Sequence, residues 1–262
     1  MTQSIVQVDA FADRPFVGNP AGVCIMKKAA DETWMQSVAA EMNLSETAFL
    51  YPIETGYHLR WFTPLAEVRL CGHATLATAY VLFTDGYVPK TDQIIFHTLS
   101  GDLIAAYDDG WIELDFPVRI TSPCTPPAGL LEALGVTSEY VANAGEDYLV
   151  VVDSDDIVRA VKPDFNRLSG LTVRGISVTA KAAKKYDFVS RFFAPAVGIN
   201  EDPVTGSVHC ALTHYWSQQL GKKELFAYQA SQRGGELRLR LEGDRVKIRG
   251  KATITIRGEL TC

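Results

Sequence analysis

Arg60-Trp61-Phe62-Thr63-Pro64 returns as Arg191-Phe192-Phe193-Ala194-Pro195, an offset of 191 − 60 = 131. A loop follows each stretch, then a glycine, then a run of small apolar residues. The first run reads Cys71-Gly72-His73-Ala74-Thr75-Leu76-Ala77, the second Thr205-Gly206-Ser207-Val208-His209-Cys210-Ala211. The glycines lie 206 − 72 = 134 apart, so the second loop is 134 − 131 = 3 residues longer. Each stretch delivers a strand into a glycine turn that opens a helix. A helix N-terminus carries unpaired N–H groups and roughly half a unit of positive charge. Glycine lets a ligand approach the backbone closely. Two such termini would grip a carboxylate from two sides. The duplication predicts an α/β chain of two related halves, with its site in the cleft between them.

Outward from that repeat, the composition is that of an ordinary globular protein. The chain has 262 residues, 47% hydrophobic and 21% charged, with a net charge of −6. This excludes disorder as the main state and makes a polyanion-binding role unfavourable, so no nucleic-acid partner is expected. No apolar run is long enough to span a bilayer, and the N-terminal segment, interrupted by Asp9 and Asp13, does not read as a signal peptide. Five cysteines without a C-x-x-C pair fit a reducing cytoplasm and offer no structural zinc site.

Ile5–Ala10, Ala21–Met26, Ser45–Tyr51 and Tyr57–Thr63 read as strands. Asp31 is placed to cap a helix with Trp34, Met35, Val38 and Met42 on one face. Ala74–Phe83 reads as a buried helix, followed by strands at Gln93–Thr98, Asp102–Tyr107 and Trp111–Phe116. The proline-dense stretch Thr121–Pro127 marks the candidate boundary. It divides the chain into residues 1–117 and 118–262, with the last strand free to pair back to the first half. Beyond it, Leu130–Leu134, Pro163–Leu168 and Val208–Leu220 read as helices. Strands are expected at Tyr140–Asn143, Tyr148–Asp153, Arg174–Thr179, Asp187–Phe193, Leu225–Gln229, Glu236–Leu241 and Arg245–Ile256.

Polar residues at the two turns are the candidate chemistry: Cys71 and His73 in the first, Glu201, Asp202, Thr205 and Ser207 in the second. Glu46 is a further candidate, a carboxylate opening an apolar strand. Carboxylates, an imidazole and helix N-termini together suit proton abstraction beside a carboxylate or carbonyl. Burial beside Phe49 would tune such a base. Each residue also has a plain structural reading. Asp202 can start a turn, Thr205 and Ser207 can cap a helix, and Cys71 can be a small core residue. Cys71 and His73 at i and i+2 would not face each other on a helix, which weighs against a Cys–His hydrolase. His58, His97, His209 and His214 have no evident partner.

At these residues the chain resembles the PhzF-like family, named for an isomerase of phenazine biosynthesis. The resemblance rests on four blocks: Val8-Asp9-Ala10-Phe11 with Gly18-Asn19-Pro20-Ala21-Gly22-Val23; Asn43-Leu44-Ser45-Glu46-Thr47-Ala48-Phe49; Arg60 through Thr75; and Glu201 through Cys210. It implies the diaminopimelate epimerase-like fold, two pseudo-symmetric halves, each a curved mixed sheet around a central helix. It further implies a cofactor-independent isomerase or epimerase without metal, acting on a small carboxylated metabolite, and a homodimer. Glu46 would be the acid–base residue, assisted by His73 and Asp202. Gly72, Gly206 and Ser207, with Cys71 and Thr205, would line the substrate carboxylate. The sequence departs from a two-thiol epimerase, because the second turn offers Asp202 where a second thiol would stand. The alternative is a non-catalytic member that binds a metabolite or a protein.

Overall fold

The computed structural model describes residues 2–261, so Cys262 lies outside the described residues. The chain forms two compact units, one of Met1–Asp115 with Arg249–Cys262 and the other of Phe116–Ile248. Its elements run β1 (Gln3–Ala10), β2 (Asn19–Ile25), α1 (Glu32–Met42), β3 (Glu46–Ile53), β4 (Gly56–Phe62), β5 (Glu67–Val68), α2 (Gly72–Thr84), β6 (Ile94–Thr98), β7 (Gly101–Asp108) and β8 (Trp111–Pro117). Then come β9 (Ser122–Pro123), α3 (Leu130–Leu134), β10 (Tyr140–Asn143), β11 (Asp147–Val151), α4 (Asp155–Ala160), α5 (Phe165–Ser169), β12 (Gly175–Lys181) and β13 (Phe188–Ala194). The chain ends with β14 (Ile199–Asp202), α6 (Gly206–Leu220), β15 (Glu224–Gln229), β16 (Gly235–Glu242), β17 (Arg245–Gly250) and β18 (Ala252–Leu260). No helix among the described residues is long and apolar enough to cross a membrane.

In the first unit β18, β1, β2, β3, β4, β6 and β7 lie side by side. Two of these pairings are parallel: β2 with β3, joined through α1, and β4 with β6, joined through α2. Parallel neighbours need a crossover, and here each crossover is a helix. Helix α2 is apolar nearly all round, as a helix buried on every side must be. It packs against β1, β2, β3, β7 and β18. The other helix, α1, is capped by Asp31, which accepts from the Trp34 amide, and buries Met35, Val38 and Ala39. Those residues join Phe49 and Phe62 in one apolar cluster.

The second unit repeats the plan. β10, β11, β12, β13, β15 and β16 lie side by side, with β11–β12 and β13–β15 parallel. Helices α4 and α5 lie in the first crossover and α6 in the second. Helix α6 packs against β15 and β16. A second cluster fills under α3 and α4 with Leu134, Val158, Val178 and Phe193.

The duplicated motif has a structural cause. Arg60 on β4 forks onto Glu67, with Nε–Oε1 at 2.6 Å and Nη2–Oε2 at 2.8 Å. Arg191 on β13 forks onto Glu201 in the same way, at 2.7 and 2.9 Å. Each guanidinium also lies over the second aromatic ring of its motif, Phe62 at 5.1 Å and Phe193 at 4.9 Å. The arginines are 131 apart but the glutamates are 201 − 67 = 134 apart. The three extra residues lie between Pro195 and Glu201, where the chain makes the Pro195–Val197 turn before β14. Glu201, a candidate for chemistry by sequence, therefore holds a strand pair together.

The short strands β5, β9 and β14 were not expected from sequence, and two longer segments also differ from the expectation. Arg245–Ile256 is not one strand: it breaks at Lys251, whose carbonyl accepts the Ala12 amide. The residues after the break pair antiparallel with β1, Ala252 opposite Ala10. This places β18 with the first unit, and the second unit, Phe116–Ile248, is shorter than 118–262. Helix α4 was not anticipated, because Asp155-Asp156-Ile157-Val158-Arg159-Ala160 is too short to show a helical period; Ser154 caps it.

Between β1 and β2, Gly18 adopts φ +71°, and a Cβ there would lie 2.1 Å from the Ala10 carbonyl oxygen. Backbone cannot yield as a flexible side chain can. Gly18→Ala is therefore expected to destabilise the protein by roughly 2–3 kcal/mol, read as a lower urea midpoint at unchanged m-value.

Candidate active site

The first unit gathers Glu46, Cys71 and His73. Glu46 is the first residue of β3, reached from α1 through Asn43 in the left-handed conformation at φ 49°. His73 is the second residue of α2, and Cys71 its extended N-cap. His73 Nε2 lies 3.2 Å from Glu46 Oε2, both side chains largely buried. The angles of this contact fall outside hydrogen-bond geometry, so it is a close approach of donor and acceptor. On its other side, His73 Nδ1 lies 3.2 Å from Asn19 Nδ2 and 3.5 Å from Cys71 Sγ. Asn19, the first residue of β2, is fully buried.

Burial pushes the His73 imidazole down to about 3, so it is neutral at pH 7. Its tautomer follows from its neighbours. The amide and the thiol beside Nδ1 are donors, whereas the carboxylate beside Nε2 is an acceptor. The ring proton therefore sits on Nε2 and faces Glu46. A neutral N–H thus stands beside the carboxyl group of Glu46. Asn19→Leu is expected to remove the amide donor to Nδ1. The imidazole ¹⁵N shifts should then report a mixture of tautomers, and stability should fall by about 1–3 kcal/mol.

Two expectations change here. The i, i+2 argument against a Cys71–His73 contact fails, because Cys71 is extended at φ −141° and not helical. Phe49 does not cover Glu46: residues three apart on a strand face opposite ways. The Phe49 ring instead meets Trp34 and Phe62 edge-on. The ligand atoms of Glu46, Cys71 and His73 lie within 4.8 Å of one another, close enough to gather about a metal ion. The imidazole, however, turns Nδ1 to the thiol and Nε2 to the carboxylate. That arrangement bridges two groups and does not aim three lone pairs at one point.

The second unit gathers Asp202, Thr205, Gly206 and Ser207. Asp202 ends β14 and Thr205 is the N-cap of α6. The Thr205 hydroxyl makes no cap bond and donates instead to Asp202 Oδ2. Ser207 Oγ accepts from Arg174 Nη1 and Nη2, each at 3.3 Å. Arg174 in turn forks onto the buried Asp147, with Nε–Oδ1 at 2.9 Å and Nη2 on Oδ2. Both α2 and α6 begin with glycine and have no side-chain cap, so their first-turn amides have no capping side chain to meet them.

Sequence reasoning missed Asn19 as a partner of His73, and Asp147, Arg174 and Gln229 altogether. Asp147 shows the signal that singled out Glu46, a carboxylate opening an apolar strand. Gln229 is fully buried and holds the Asp202–Thr205 turn. Of the unassigned histidines, His209 is buried, donates from Nδ1 to the Thr205 carbonyl at 2.8 Å and is pushed down to about 4 by burial. Cys210 is pushed up to about 12 by burial, an inert thiol one turn inside α6.

Residues 8–258 match the family described as phenazine biosynthesis-like protein, PhzC-PhzF. A protein of Halalkalibacterium halodurans named as an uncharacterized isomerase is 49% identical, over 99% of each chain. A crystal structure titled phenazine biosynthesis protein PhzF family, from Enterococcus faecalis, superposes with a TM-score of 0.96 at 41% identity over 100% of both chains. A hydroxyproline epimerase from Agrobacterium vitis, 10% identical, shares the fold with a TM-score of 0.65 over 99% of this chain and 92% of its own.

Proposed function

The chain belongs to the phenazine biosynthesis-like PhzC-PhzF family, and from that premise we propose that it is a cofactor-independent isomerase or epimerase moving a carbon-bound proton on a small carboxylated substrate, with Glu46 as the acid–base residue. The observation that carries this reading is the Asn19–His73–Glu46 arrangement, a largely buried carboxylate approached at 3.2 Å by a neutral imidazole whose tautomer is fixed from behind. A binding protein has no need of such a device. The names of close relatives as isomerases support the same reaction class.

Glu46 removes a proton from the carbon beside the substrate carboxylate, and the electron pair moves onto the carboxylate oxygens. First-turn amides of α2, at Gly72 beside Cys71, stabilise that charge. The proton then returns to another carbon, or to the other face of the same one. In the second unit Asp202 assists proton transfer, and Thr205, Gly206 and Ser207 contact the substrate's anionic group. The reaction requires a base, a proton donor and anion stabilisation.

The test is incubation of the protein in D₂O with a panel of carboxylated metabolites, read by mass spectrometry and ¹H NMR. Deuterium at carbon in one of them is the expected result. Tight binding without exchange in any of them would overturn the reading in favour of a metabolite-binding protein.

A further inference from the structure

The turn from β14 into α6 carries Asp202 and three further candidate residues, yet it is held by residues far along the chain. Gln229 ends β15 and is fully buried. Its Oε1 accepts the Thr205 amide at 2.8 Å. Its Nε2 donates to the Asp202 carbonyl at 2.8 Å and to Thr205 Oγ1 at 3.2 Å. Two residues on, Ser231 Oγ donates to the Pro203 carbonyl at 2.7 Å and accepts the Gly234 amide at 3.0 Å. The segment is itself anchored to β13: Ser190 pairs with Gln229, and the Ala230 amide donates to the Ser190 carbonyl at 2.7 Å.

We propose that Gln229, seconded by Ser231, is the positioning residue that sets Asp202 and the first turn of α6 for catalysis. The inference rests on the reading of Asp202 as a residue of the site. Burying a primary amide is costly unless its groups are paired, and Gln229 directs all three of these bonds onto one short turn. The bonds also have a direction. Because Thr205 Oγ1 accepts from Gln229, its own hydrogen is turned to Asp202 Oδ2. This relay makes Oδ2 an acceptor and fixes which carboxylate oxygen the hydroxyl meets. Gln229 also occupies the Thr205 amide, so the amides offered to a ligand at this terminus are those of Gly206 and Ser207. Sequence pattern could not show this, since a glutamine at a strand end has no periodic signature.

The test compares the parent protein with Gln229→Met, of similar length but unable to make these bonds, and Ser231→Ala. With the substrate found by deuterium exchange, Gln229→Met should lower kcat by about 30-fold with KM within about threefold, and Ser231→Ala should lower kcat by about threefold. A residue that only stabilised the fold would shift the melting temperature and leave kcat of the folded variant near the parent value, which would overturn the proposal. Amide hydrogen exchange supplies a readout independent of activity. Peptides spanning residues 202–208 should exchange at least about tenfold faster in Gln229→Met, with β11 and β12 unchanged. Should Gln229→Met fail to fold, Ser231→Ala carries both readouts, and no change in either overturns the proposal. A parent protein inactive on every substrate would sink the proposed reaction alone, leaving the clamp to be decided by the exchange of residues 202–208.

Discussion

Glu46→Gln is expected to lower carbon-bound deuterium incorporation by about 1,000-fold or more while leaving substrate affinity within about threefold. Glutamine keeps the size of the side chain and an oxygen that can stand beside His73 Nε2. It cannot take up a proton. The loss should therefore fall on the chemical step, with binding by the helix amides intact. Single-turnover exchange and equilibrium titration of the same variant separate the two. Exchange at the parent rate would remove Glu46 from the mechanism and return attention to Cys71, whose thiol lies 3.5 Å from His73 Nδ1.

Acidification from pH 7 to pH 5 is expected to cost the protein about 4 kcal/mol through two buried histidines, about 2 from each. His73 and His209 are held neutral in the fold, pushed down from 6.5 to about 3 and about 4 by burial. In the unfolded chain both take up a proton near pH 6.5. The unfolded state thus binds more protons throughout the window below 6.5, and the contribution, fully present above that pH, is lost as pH falls towards the folded values. His97 acts in the opposite direction, raised by its bond to the Thr55 carbonyl and by Asp102, but it lies at the surface. Urea midpoints at pH 7, 6 and 5 give the slope. His73→Gln should cut it by about half, and an unchanged slope would show that this histidine is not held neutral.

Much of the architecture was legible because it is written twice. The arginine of each motif must meet a glutamate, and the glycine must open a helix, so a divergent repeat kept both. Glu46 and His73 were legible for a related reason, being polar types at element starts where an apolar pattern breaks. What stayed hidden depends on contacts between distant residues. Asp147 and Arg174 are 27 residues apart and Thr205 and Gln229 are 24 apart, so no local period reveals either pairing. The break at Lys251 was hidden because residues on both sides of it have good strand character. The Cys71–His73 approach was hidden because it depends on one backbone angle at a helix cap.

The pairing of β18 with β1 has a consequence for the order in which the protein is made. The ribosome delivers β1 first, and the edge it will share with β18 must wait while the whole of Phe116–Ile248 is synthesised. The second unit is contiguous in the chain and can reach its fold during translation, whereas the first cannot be completed until the later strand emerges. During that interval β1 presents an open row of backbone donors and acceptors, the kind of edge that chaperones cover and that mispairs when they do not. The half of the molecule that carries Glu46 and His73 is thus begun first and finished last.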